Sequence, residues 1–270
     1  MKGRGTKGDE GRVSRPTSPD TRPYSSASKR TILTVFRNSE KMKKIFKRVK
    51  SFIVKTIIGF FLLSIGLVVL YRFVPVPFTL LMVQRCVEQM MEGKDLKLSK
   101  DWVSAAKISP KMSKAVVAAE DQLFYDHNGF DTKAIEKALK YNEKQQTKKR
   151  KRMRGASTIS QQTAKNVFLW ASRSWVRKGF EVYFTFLIEL IWSKERILEV
   201  YLNVIETGDG IYGVEAAAQT FFNTSAAKLT TSQAAAIAAV LPNPRKWNAG
   251  KPSPYVSRRQ NWIMRQMNNF

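Results

Sequence analysis

The 270-residue chain carries 47 Lys and Arg against 21 Asp and Glu, a formal net charge of +26, and 43% of it is hydrophobic. That is enough apolar material for one folded domain with a tail and an anchor to spare, and the charge demands an anionic partner: nucleic acid, acidic phospholipid or a pyrophosphate-bearing substrate. A single cysteine, Cys86, excludes an intramolecular disulfide, and a single histidine, His127, argues against a Cys/His zinc site.

Residues 1–50 are rich in Lys, Arg, Ser, Gly and Pro and poor in large apolar groups, so they read as a disordered basic tail, with fifteen Lys/Arg against four acidic residues. From Phe52 to Tyr71 the chain is apolar apart from Lys55, Thr56 and Ser64; twenty such residues rise about 30 Å as a helix, the thickness of a hydrocarbon core. Residues 51–73 are therefore expected to form one transmembrane helix. A cleaved signal peptide is the competing reading, but the apolar run exceeds an h-region and no small-x-small cleavage pattern precedes Val74-Pro75-Val76-Pro77. The cluster Lys41, Lys43, Lys44, Lys47, Arg48 and Lys50 keeps the tail in the cytoplasm by the positive-inside rule, which puts residues 74–270 on the far side. Phe78 to Val83, with Val87, Met90 and Met91, fits two readings: a helix lying along the membrane surface, or an ordinary packed one.

Beyond Trp102 the segments read as helices with short connections and no strand alternation, so the domain is mainly α. Ser109-Pro110 opens a helix that closes at Glu120, and Asp131-Thr132 opens the next, through Leu139. Phe180 to Trp192 is apolar except for Glu181 and Glu189, too short and too charged for a second span, and is expected to be a central buried helix. Ser193-Lys194-Glu195 restarts a helix through Asn203; Gly208 to Gly213 is a loop; Val214 to Phe222, Thr231 to Leu241 and a segment opened by Ser253-Pro254 complete the series.

Three stretches could carry chemistry. Glu120 to Asp131 gathers four acidic side chains and His127 at a helix-turn-helix corner, where a carboxyl group closing an apolar helix is well placed for proton transfer; solvated or paired side chains are the plainer reading of such a corner. Gly155 to Asn166 is a glycine turn followed by a hydroxyl-rich helix start, which favours an anion that Lys165 could share. Arg173 to Glu181 sets three cations before a carboxylate embedded in an apolar helix; burial disfavours ionised Glu181 and the cations favour it, which leaves its protonation state open.

Taken together, the blocks Glu120-Asp121-x-x-Phe124-x-x-His127-x-Gly129-x-Asp131, Gly155-x-Ser157-Thr158-Ile159-x-Gln161-Gln162-x-x-Lys165-Asn166, Arg177-Lys178-x-x-Glu181, Lys194-x-x-Ile197-Leu198-Glu199-x-Tyr201-Leu202-Asn203 followed by Gly208-x-Gly210-x-x-Gly213, and Ala234 to Pro242 resemble, in order, the motifs of the peptidoglycan glycosyltransferases. The resemblance spans about residues 100 to 245, and because the chain ends soon after, without room for a transpeptidase domain, it is most similar to the monofunctional biosynthetic transglycosylases.

That resemblance implies a lysozyme-like glycosyltransferase domain, preceded by one transmembrane helix, on the outer face of the cytoplasmic membrane. It would polymerise lipid II and release undecaprenyl pyrophosphate with inversion, in cell-wall biosynthesis. Glu120 would be the general base. Lys165 and Arg173 would neutralise the pyrophosphate, Glu181 would assist the leaving group, and Ser157, Gln161 and Arg177 would line the donor site. It implies no required cofactor and leaves a divalent cation such as Mg2+ open. The partners implied are lipid II, the growing lipid-linked glycan and the membrane, with proteins of cell-wall synthesis or division left open.

Tyr141 to Arg154 departs from the motif pattern by inserting seven basic residues, Lys144 and Lys148 to Arg154 among them, as a solvated loop or a grip on phospholipid headgroups. Two other functions compete with this reading. A hydrolase of finished glycan would need no cationic cradle, and a nucleic-acid-binding protein is disfavoured because the basic residues form no base-reading motif.

Overall fold

A computed structural model describes residues 26–146, 155–172 and 174–269, and among them it contains ten α-helices and three short strands. The chain divides into two compact units, residues 1–61 and 62–270. Helix α1 spans Ser26–Phe73, and its segment Lys41–Phe73 is the one described helix long and apolar enough to cross a membrane, with mean hydropathy 2.5 over its most apolar window. Side chains such as Phe52, Ile53 and Leu63 are exposed, the state expected of a helix whose solvent is lipid. Helix formation starts earlier than expected: residues 26–50, read above as part of a disordered tail, are helical. No proline interrupts Ser26 to Phe73, and Lys and Arg are good helix formers, so a charged segment can extend an apolar helix. Pro75 and Pro77 follow its end.

In the larger unit, the last turns of α1 are fastened to the rest by polar contacts. Trp192 Nε1 donates to the Val68 carbonyl (2.7 Å), Ser64 and Tyr183 share a hydrogen bond (2.7 Å), and the Arg196 guanidinium caps the Tyr71 and Val74 carbonyls. Those carbonyls belong to a helix end that has no partners of its own, and a cation suits that end. Helix α2 (Leu80–Met91), capped by the Thr79 hydroxyl, buries only Met82 and Gln89. Phe78, Leu80, Val83, Val87, Met90 and Met91 are all exposed, so α2 reaches the core through Met82 and leaves most of its apolar side chains outside.

The core is built by α3 (Pro110–Glu120), α5 (Ile159–Phe168), α6 (Trp175–Ile191), α7 (Lys194–Val204) and α9 (Thr231–Val240), with α4 (Thr132–Gln146), α8 (Val214–Phe222) and α10 (Pro254–Gln266) around them. The helix buried on every side is α9, where Ala234 to Val240 are all inaccessible. Its alanines let α3 and α10 approach closely, which a row of leucines would prevent. The expectation of a central buried helix at 180–192 is thus corrected. Helix α6 buries Glu181, Phe184, Thr185, Leu187 and Ile188 but exposes Val182, Phe186 and Leu190, because α5 and α7 cover one face only.

Three strands, β1 (Ser99–Lys100), β2 (Glu206–Gly208) and β3 (Ile211–Tyr212), form a sheet in the order β1-β3-β2, parallel then antiparallel. Strands of two or three residues are too short to show alternation in sequence. Gly210 turns the β2-β3 hairpin at φ +73°, and a Cβ there would meet the Lys97 carbonyl oxygen at 2.3 Å.

Candidate active site

The site grows from the end of α3. Pro110 at the first helical turn starts this helix, and Ala115 to Ala118 bury its face, so its last residue, Glu120, emerges beside the core rather than in bulk water. The chain leaves the helix at Asp121, whose buried carboxylate accepts from the Ile159 backbone N–H (2.9 Å) and from His127 Nε2 (2.9 Å). Since Gly129 N–H donates to His127 Nδ1 (3.1 Å), the ring's hydrogen sits on Nε2. Asp121 is therefore the clamp between the corner and the start of α5, and His127 holds it from within the corner. Burial pushes the Asp121 carboxyl up from its ordinary range, opposed by the His127 and Ile159 hydrogen bonds. Gly129, at φ +87°, accepts from the Thr158 hydroxyl (2.6 Å); a Cβ on it would meet Thr185 Cγ2 at 2.9 Å.

Glu120 is held from two elements. Gln162 Nε2 of α5 donates to Oε2 (3.0 Å), and Arg259 Nη2 of α10 to Oε1 (3.2 Å). The fully buried Tyr201 hydroxyl donates to Gln162 Oε1 (3.2 Å), which turns the amide so that its N–H group faces the carboxylate. Burial raises the Glu120 pKa above its ordinary value, while the Gln162 hydrogen bond and the charges of Arg259 and Lys165 pull it back; the Asp121 charge adds to the rise. A carboxylate whose basicity is raised by burial suits general-base work near neutrality.

One turn further along α5 lies Lys165. Burial lowers its pKa, the charge of Glu181 opposes that most and Glu120 contributes too, while Arg177 and Lys178 push it down further. Among the described residues Lys165 makes no ion pair. Glu181 is buried, with Arg177 Nη1 at 3.1 Å from one oxygen and Lys178 Nζ hydrogen-bonded to the other. Gln162, Lys165, Asn166 and Arg177 line one wall of a cleft of about 500 Å³, and Gln84, Arg85 and Glu88 of α2 with Glu206 of β2 line another. Asn166 Nδ2, Arg177 Nε and Arg85 Nε are buried without a hydrogen-bond partner. Arg85 Nε lies 3.9 Å from a Glu206 oxygen, so on the Lys165 wall the cationic character comes from Lys165 and Arg177, which suits an anion.

Of the residues singled out from sequence, Lys165 and Arg177 line the cleft, while Glu120 and Glu181 do not line it but both lie near enough for their charges to act on Lys165. Ser157 is exposed just before α5. Gln161 is buried, and its Oε1 accepts the Thr158 N–H in a capping box. Its neighbour Gln162 holds Glu120 instead. The pattern Thr158-x-x-Gln161 is itself a capping-box signature, and that signal could have separated the two glutamines in advance. Arg173 and residues 147–154 of the basic insertion lie outside the described residues. Arg259, 139 positions from Glu120 in sequence, carried no local signal.

The side chains do not present a donor set for Mg2+. Both Glu181 oxygens are already engaged by cations, and among the described residues no group of three or more His, Cys, Asp or Glu could hold a metal ion.

A family model described as Transglycosylase matches residues 87–268. The chain is 58% identical over 222 residues to "Biosynthetic peptidoglycan transglycosylase" of Bacteroides thetaiotaomicron, covering 82% of this chain and 88% of the relative. It is 55% identical over 226 residues to the protein of that name from Bdellovibrio bacteriovorus, covering 84% and 88%. With the Escherichia coli protein of that name it shares 52% identity over 224 residues, covering 83% and 91%.

Proposed function

The chain belongs to the transglycosylase family, and from that premise we propose that it polymerises lipid II into glycan strands with release of undecaprenyl pyrophosphate and inversion at the anomeric carbon. The observation that carries this reading is one face of α5, where Gln162 grips Glu120 and Lys165 stands a turn away, under the charges of both Glu120 and Glu181. A hydrolase of neutral glycosidic bonds has no use for a buried cation at that point.

In the step we derive, Glu120 takes the proton from the sugar 4-hydroxyl of the acceptor as that oxygen forms a bond to the donor's anomeric carbon. The bond from that carbon to the pyrophosphate oxygen breaks, and its electron pair leaves with the pyrophosphate. Attack from the face opposite the leaving group turns an α linkage into a β one. Negative charge grows on the departing oxygen, so Lys165, with Arg177 and Asn166 lining the same wall, binds it more tightly in the transition state than in the ground state. Glu181 holds Arg177 and Lys178 in place for this role, which makes it a support for the leaving-group side. The proton on Glu120 returns to solvent before the next cycle.

The same reading gives the chain its membrane setting. The apolar helix associates it with a bilayer, and we place the basic tail, residues 1–50, in the cytoplasm and residues 74–270 on the outer face, where a lipid-linked donor is met without leaving the membrane. Exposed apolar side chains on α2 and α6 are consistent with a domain resting on that surface. The deciding experiment is incubation of labelled lipid II with the purified chain and with Glu120→Gln, which keeps the shape and removes the basicity. Polymer from the first and not the second is expected. Equal polymer from both would remove Glu120 as the base, and short fragments from mature glycan would mean a hydrolase.

A further inference from the structure

Glu120 is reached by a cation that lies outside every motif block. Helix α10 starts with the Ser253 hydroxyl accepting from Val256 N–H and with Pro254 in its first turn, and it packs along α9 and α3. That packing brings Arg259 over the last turn of α3. Its Nη2 donates to Glu120 Oε1 at 3.2 Å and lies 3.4 Å from the Ala119 carbonyl oxygen. Gln122 and Gln266, joined at 3.3 Å, tie the far end of α10 to the same corner. A guanidinium over the C-terminal carbonyls of a helix suits the dipole, but the rest of its placement is poor for stability alone. Its side chain is 23% exposed, it meets the carboxylate through one nitrogen rather than two, and its Nε is buried with no partner among the described residues. Leaving a buried donor unmatched costs free energy, and an apolar side chain would fill that space without the cost.

We propose that Arg259 is a positioning residue, which from the C-terminal helix holds the Glu120 carboxylate ionised and fixed in the rotamer that faces Gln162. The proposal rests on the reading of Glu120 as the base. The groups that bear on Glu120 are Gln162 and Lys165 from α5, Asp121 beside it on the chain, Tyr201 of α7 behind Gln162, and Arg259 of α10. Of these, Arg259 alone is a full positive charge in hydrogen-bond contact; Gln162 is neutral, and Lys165 acts from farther away. After the Gln162 hydrogen bond, the Arg259 charge is the next support for the anion and the first among the charges, and its loss leaves burial, which opposes ionisation, untouched.

The test is the pH dependence of kcat/KM for lipid II polymerisation by the full chain. Arg259→Gln keeps an N–H donor near Glu120 and loses the charge; Arg259→Lys keeps the charge. We expect the acid limb of Arg259→Gln to move up by about 1 pH unit, with activity at neutral pH down several-fold and recovering at higher pH. Arg259→Lys should keep the limb within a few tenths of a unit of the native position. A purely structural role predicts loss of rate at every pH with the limb in place, and that result would overturn the proposal. Should Arg259→Gln fail to fold, a displaced limb in Arg259→Lys would overturn it as well. Failure of the underlying reading looks different: Glu120→Gln would then polymerise as fast as the native chain, whatever Arg259 does.

Discussion

Gln162 and Lys165 stand three residues apart on α5, so one face of one helix carries both the amide that orients Glu120 and the cation on the leaving-group side. Side chains at i and i+3 on a helix are neighbours, about 5–6 Å apart at Cβ. The two ends of the proposed reaction are thus held at a spacing that the backbone of α5 dictates, with little left to loop motion.

Removing the basic group should be costly. Glu120→Gln is expected to lower kcat by about 10²–10⁴-fold, the usual range for loss of a positioned acid or base. Gln162→Leu should cost less and should move the acid limb of the pH profile upward, since the hydrogen bond it removes favours the ionised carboxylate. Steady-state polymerisation of labelled lipid II across pH measures both.

The alkaline side of the profile belongs to Lys165. Burial lowers its pKa, so the cation is lost on raising the pH below the ordinary lysine range, and kcat/KM should fall as it deprotonates. Lys165→Arg, whose charge does not titrate, should carry the limb to higher pH even if the overall rate drops. Lys165→Ala should lose about 10²–10³-fold at all pH values. An alkaline limb that stays in place in Lys165→Arg would assign it to another group.

Asp121 is expected to act on stability as well as shape. It accepts from Ile159 N–H and His127 Nε2 in a buried site, so Asp121→Ala leaves two donors unmatched and should destabilise the domain by about 2–4 kcal/mol. His127→Ala should add little in the Asp121→Ala background, because the pair acts as one unit. Melting of the two single variants and the double variant checks this.

Topology is open to a direct measurement. With the tail inside, protease added to intact spheroplasts should degrade residues 74–270 only after local opening, and should spare a tag at residue 1 until the membrane is breached. A tag cleaved in intact cells would reverse the orientation.

The sequence alone determined the helical class, the apolar span and most helix boundaries, because those depend on neighbours in the chain: periodicity, caps and prolines. It also marked Glu120, Lys165, Arg177 and Glu181 through spaced motifs. It misjudged α6, whose apolar residues face both the core and the outside, since composition cannot tell a core from a lipid-facing surface. The choice between Gln161 and Gln162, the use of both Glu181 oxygens by Arg177 and Lys178, and the arrival of Arg259 from α10 were decided only by tertiary structure. The physical reason is distance along the chain: hydrogen bonds and charges act over a few ångströms in space, and α3, α5 and α10, far apart in sequence, meet at Glu120 only in the folded domain.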